Sequence, residues 1–146
     1  MKRILFVCHG NINRSPMAEF ILKHLRPDLL VESRAVGLKA KEGVLISKKT
    51  RTVLEEKGIP FNEQRRSKLL TREDIENFDV IYVMDKNNVK HYQARFGNLG
   101  MEKVKLLPAL IGKDKIPDPA FSKGLDKYYE VFDLIYQCCL KLSKEV

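Results

Sequence analysis

Ile4-Leu5-Phe6-Val7-Cys8-His9-Gly10-Asn11-Ile12-Asn13-Arg14-Ser15-Pro16-Met17-Ala18-Glu19-Phe20-Ile21-Leu22 sets an apolar run, a short polar loop and an amphipathic run in direct succession. Four consecutive apolar residues rich in branched side chains, Ile4 to Val7, predict a buried strand. Pro16 near the first helical position, Glu19 in the first turn and apolar spacing at Met17, Phe20, Ile21 and Leu25 predict a helix. The loop between them opens on Cys8 and closes on Arg14-Ser15. A strand, loop and helix in this order aim backbone N–H groups and a helix dipole at one point, which makes an anion cradle. The Gly-rich run ending in Lys-Ser/Thr of nucleotide-binding loops is missing.

This cradle carries a thiol. A helix N-terminus and a nearby guanidinium favour the thiolate, the reactive form of cysteine, so Cys8 is the candidate nucleophile. Arg14 is the candidate for gripping two oxygens of a bound phosphate in bidentate fashion. Ser15 is placed to donate its hydroxyl to the sulfur. His9, Gly10, Asn11, Ile12 and Asn13 complete the loop and are candidates for phosphate or substrate contact. Gly10 and Asn11 both tolerate the positive φ that such a loop needs. A buried cysteine ending a strand, with Arg and Ser capping a helix, is the plain alternative. The strand, Gly-Asn, Ser-Pro and helix signals falling in register favour the cradle.

Taken in order, the chain alternates strand and helix. Strands are predicted at Arg3 to Val7, Leu29 to Ser33, Asp79 to Met84 and Val104 to Leu107. Helices follow the loop to Leu25, run from a Ser47 cap to Lys57 before Gly58, and start at a capping box at Thr71 to Asp74. Two more run from Asp85 to Phe96 and from Leu125 to Leu142. This alternation predicts one domain over residues 1–146, an α/β doubly wound four-stranded parallel sheet with helices on both faces. Ligands of such sheets sit beyond the carboxyl ends of the strands, where strand order switches. Cys8 and Asp85 both directly follow strands and so fall on that edge.

At 146 residues, 44% hydrophobic and 32% charged, the composition is that of a soluble globular chain. No signal pattern or membrane-length apolar run appears, so a cytoplasmic protein with no membrane partner is expected. Three cysteines, two of them adjacent, make no disulfide framework. The three histidines and the carboxylates show no metal-ligand spacing, so no metal or other cofactor is expected. His24 and His91 fall on predicted helices and read as surface residues.

The net charge of +8 is uneven. Ten basic residues lie between Lys39 and Arg72 against four acids, with Phe61 the one aromatic. No nucleic-acid-binding motif accompanies them, so nucleic acid is not the expected partner. A field that attracts phosphorylated or acidic substrates and a solvated helix face both account for the stretch. Nothing in the sequence sets an oligomeric state.

Val7 to Glu19 resembles the active-site loop of the low-molecular-weight protein tyrosine phosphatases: Cys, five residues, Arg, then Ser or Thr. The resemblance extends from Lys2 to about Leu142. It implies phosphotyrosine-containing protein substrates, a phosphocysteine intermediate formed on Cys8 and phosphate binding by Arg14. The family places its general acid in an Asp-Pro late in the chain, and Ile116-Pro117-Asp118-Pro119 stands there. By resemblance Asp118 is that acid, and prolines on both sides would hold its loop stiff; alone, Asp-Pro is also a turn signal.

Members commonly carry tyrosines just beyond, where this chain has Ala120 and Phe121, with Phe121 still able to stack on a substrate ring. Val83 to Asn88 matches the family's third-strand loop, where Asp85 either supports the site at its rim or caps a helix. Two departures matter. Members usually have a second cysteine where this chain has Asn13, which is expected to hydrogen-bond within the loop instead. Ser33-Arg34-Ala35-Val36-Gly37 also differs from the family's Ser-Ala-Gly-Thr, which shapes one pocket wall. Protein arginine phosphatases resemble the chain as well, but tend to carry Thr at the position of Ile12. Thiol-dependent arsenate reductases share the loop and need downstream cysteines that have no suitable counterpart here.

Overall fold

In a computed structural model, which describes residues 2–146, the chain forms one parallel sheet in the order β2-β1-β3-β4. Its strands are β1 (Arg3–Cys8), β2 (Leu30–Ala35), β3 (Val80–Val83) and β4 (Val104–Leu106). The helices are α1 (Arg14–Leu25), α2 (Lys48–Glu56), α3 (Arg72–Asn77), α4 (Lys86–Phe96) and α5 (Asp126–Glu145). The strand-helix alternation predicted from the sequence is therefore the architecture found.

β1 explains why helices lie on both faces. Ile4, Phe6 and Cys8 point into a core shared with Met17, Ile21, Val131 and Ile135 of α1 and α5. Leu5 and Val7 point the other way, against Ile75 of α3 and Tyr92 of α4. A strand buried on both faces reads as the continuous apolar run seen in the sequence. Chain order runs from β1 outward to β2, then returns across β1 to β3. The switch point thus lies between the carboxyl ends of β1 and β3, where Cys8 and Asp85 stand.

Element boundaries differ in ways that have physical causes. β2 runs to Ala35 because Arg34 and Ala35 pair with Val7 and Cys8, and Ala35 also bridges Leu69. The last residue of the predicted fourth strand, Leu107, instead opens a 3-10 helix, Leu107–Ile111, since Pro108 has no N–H to continue a ladder. Ser47 caps α2 by accepting from Thr50 N, and Thr71 with Asp74 forms the capping box of α3. α1 begins at Arg14, so Glu19 lies in its second turn and not its first.

Candidate active site

The loop after β1 wraps around the Cys8 sulfur. Sγ lies 2.9 Å from Ser15 Oγ and accepts from the backbone N–H groups of Asn11 at 3.3 Å and Ser15 at 3.4 Å. Donors converging on one sulfur are what a thiolate requires. Asn11 takes the positive φ of 60° that the loop needs, whereas Gly10 does not. Asn11 and Ser15 are fully buried and act from behind the loop.

Asn11 is held by a polar cluster that no local sequence pattern announces. Its Nδ2 donates to Ser15 Oγ at 2.8 Å and Ser33 Oγ at 3.0 Å. Its Oδ1 accepts from Arg65 Nη2 at 2.8 Å and Lys68 N at 3.1 Å. Arg65 also donates to the Asn11 carbonyl and lies 3.4 Å from Glu19, which accepts from Ser33 Oγ at 2.6 Å. Burial, set partly against the fields of Glu19 and Cys8, pushes the Arg65 guanidinium below its ordinary range. Arg65, Glu19 and Ser33 thus pack under the loop, a place that the sequence did not assign to them. They come from three distant segments, and only folding brings them together.

Arg14 is 97% buried, yet it is not left unpaired. Nη1 donates to Asp85 Oδ2 at 2.7 Å and to the Ile116 carbonyl at 2.8 Å. Nη2 stands 3.8 Å from Asp118 Oδ2. Burial works against the charge of Arg14, but the fields of Cys8, Asp85 and Asp118 outweigh it and raise its pKa. Asp85 is divided between two partners. Oδ1 caps α4 by accepting from Asn88 N at 2.8 Å while Oδ2 holds Arg14.

Asp118 is brought to the site by its loop. Ile116 N donates to the Met84 carbonyl at the end of β3, which moors the segment beside Arg14. Ala120 N then donates to Asp118 Oδ1 at 3.0 Å, leaving Oδ2 facing the guanidinium. Asp118 is 42% exposed, so it meets both solvent and cavity.

These groups surround a cavity of about 290 Å³ lined by Cys8, His9, Gly10, Ile12, Asn13, Arg14, Asp118, Ala120 and Phe121. Phe121 is almost wholly exposed at its mouth. His9 is fixed in the wall: its ring meets that of His91 edge-on at 5.1 Å, and His91 Nδ1 accepts from Leu38 N. Gly37 lies flat on the His9 ring, which a Cβ there would approach to 2.6 Å. His91, expected as a bare surface residue, thus supports the wall. A larger cleft of about 700 Å³ follows the free edge of β2, but no cysteine or histidine lines it.

Asn13 departs from its expected role. Its Oδ1 accepts from Ser47 Oγ and from Thr50 Oγ1, the latter at 2.7 Å. It therefore ties the loop to the start of α2 and not to the loop itself. Of the other thiols, burial pushes Cys138 up to about 11 and Cys139 well above its usual range. Both are core residues on α5, whereas Cys8 lines the cavity.

Residues 3–146 match the sequence model of the low molecular weight phosphotyrosine protein phosphatases. The chain belongs to that family. A low molecular weight protein-tyrosine-phosphatase of Acinetobacter johnsonii is 33% identical, over 95% of this chain and 93% of its own. The crystal structure of the family enzyme from Streptococcus pyogenes superposes with a TM-score of 0.88 at 31% identity, covering all of this chain and 93% of that one. An arginine phosphatase from Geobacillus stearothermophilus is as similar, with a TM-score of 0.87 at 32% identity over 99% of this chain and 92% of its own. Proteins titled as a tyrosine phosphatase and as an arginine phosphatase thus share this scaffold at similar identity to the chain.

Proposed function

We propose that this protein hydrolyses phosphotyrosine in protein substrates through a phosphocysteine intermediate, without a cofactor. The observation that carries the reading is the convergence of Cys8, Arg14 and Asp118 on one cavity. The Cys8 thiolate attacks phosphorus, and the bond to the tyrosyl oxygen breaks. Loop N–H groups and Arg14 bear the charge spread over the phosphoryl oxygens. Asp118 gives its proton to the departing phenolate oxygen. It then takes a proton from the water that attacks the S–P bond, releasing phosphate and returning the thiolate. Ser15 Oγ, 2.9 Å from the sulfur, supports the thiolate as it leaves. Asp85 is a positioning residue that acts through Arg14.

Ile12 and Phe121 supply apolar surface suited to a phenyl ring. The likeness to arginine phosphatases makes phosphoarginine the second reading. Free thiols at Cys8, Cys138 and Cys139 support a reducing compartment, the cytoplasm, as the working location. The test is phosphate release from p-nitrophenyl phosphate, a phosphotyrosine peptide and a phosphoarginine peptide. Turnover of the first two well above the third is expected. Dominant phosphoarginine turnover would reassign the substrate, and no turnover of any would leave a phosphate-binding module.

A further inference from the structure

Two basic segments are fastened to the loop that lines the cavity, through His9 and Ile12, and the proposed chemistry uses neither. The first is the stretch from Gly37 to Lys49, which carries Lys39, Lys41, Lys48 and Lys49 against one acid, Glu42. Its ends are fastened to the active-site loop: Gly37 N donates to the His9 carbonyl at 2.9 Å and Ser47 N to the Ile12 carbonyl at 3.1 Å. Lys49 Nζ reaches the Ser122 carbonyl at 3.2 Å, on the segment bearing Asp118. The second is α4, which starts right after Asp85 and contains Lys86, Lys90, His91 and Arg95 with no acid.

Leu38 N donating to His91, and His91 meeting His9, join the two segments into one rim. Among the described residues, Lys39, Lys41, Lys48, Lys86 and Lys90 have no acidic partner. Leu38, more than half exposed, adds apolar surface beside His91, and Phe121 adds it at the cavity.

We infer that this rim is a docking surface for acidic protein segments flanking the phosphorylated residue. The inference rests on the phosphatase reading of the cavity and names its substrate class. Unneutralised lysines bound to no internal acid project a positive field around a pocket that takes a dianion. Such fields raise association rates and select partners of opposite charge. Single-stranded nucleic acid would want aromatic platforms among the cations, and here the rim has few.

The test compares three phosphotyrosine peptides of equal length, with acidic, neutral and basic flanks, alongside p-nitrophenyl phosphate. The acidic peptide is expected to show kcat/KM about tenfold or more above the neutral one at low ionic strength, with the gap closing as salt rises. Lys39→Glu/Lys41→Glu and Lys86→Glu/Lys90→Glu are each expected to erase or invert the order while leaving p-nitrophenyl phosphate turnover unchanged. That unchanged turnover also reports that the variants fold.

Binding of the same peptides to Cys8→Ser, read by fluorescence anisotropy, tests the surface apart from chemistry. A failed phosphatase reading would silence all turnover yet leave this charge ranking in place. Equal kcat/KM and equal binding for all three flanks would overturn the inference. So would a preference untouched by both double variants, or equal competition from a single-stranded oligonucleotide of matching charge.

Discussion

Cys8→Ser is expected to reduce turnover by more than about a thousandfold while phosphate and vanadate still bind. The two functions rest on different atoms. In the proposed mechanism attack requires the sulfur, whereas binding draws on Arg14 and the loop N–H groups, whose positions are set by Asp85, Ile116 and the Asn11 cluster. A serine oxygen at residue 8 leaves those supports in place but is a far weaker nucleophile, with no base beside it to take its proton. Cys138 and Cys139 cannot substitute, being buried on α5 with raised pKa values. Steady-state kinetics with p-nitrophenyl phosphate and calorimetric titration with vanadate check both halves. A variant retaining more than about a thousandth of the normal rate would remove Cys8 from the nucleophile's role.

Asp118→Asn is expected to cost about 10²–10⁴-fold on substrates with poor leaving groups and much less on activated ones. The dependence follows from what the proton does. A phenolate that is a poor leaving group needs its oxygen protonated as the bond to phosphorus breaks, while nitrophenolate departs nearly unaided. Asp118 Oδ2 faces Arg14 across 3.8 Å and its Oδ1 is tied to Ala120 N, so an isosteric amide preserves the shape of the loop. The measurement is kcat across a series of substituted phenyl phosphates. Equal losses along the series would mean that Asp118 shapes the loop and moves no proton.

The contrast between Asp85 and Arg65 shows which parts of this site a sequence reveals. Asp85 follows an apolar strand and starts a helix, so local pattern alone puts it on the ligand-bearing edge. The same holds for Cys8 and Arg14, whose loop sits between two strongly patterned elements. Arg65 has no such signature. It lies in an irregular polar stretch, looks like one more surface cation, and is drawn under the loop by Glu19, Ser33 and Asn11 from three other segments. Local signals report φ/ψ preference and burial, and they are silent on which polar groups meet across 30 or more residues, the span of Ser33–Arg65.

Asn13 shows the same limit from the other side. Its residue type marks it as unusual, but its partners Ser47 and Thr50 depend on how α2 packs against the loop. His91 likewise reads as a polar residue on an exposed helix until His9 and Leu38 are seen against its ring. The early end assigned to β2 has a related cause, since Ala35 stays in the sheet through Cys8 and Leu69, neither of which its own neighbours reveal.

Trapping the covalent intermediate decides whether Cys8 carries the phosphoryl group during turnover. Wild-type protein and Asp118→Asn, which is expected to hydrolyse the S–P bond slowly, would be mixed with excess p-nitrophenyl phosphate, denatured within the first turnover and examined by intact mass and peptide mapping. One added phosphoryl group per chain is expected, located on Cys8 and more abundant in Asp118→Asn. Phosphoryl on any other residue, or product formed in a first turnover with no phosphorylated chain, would contradict it.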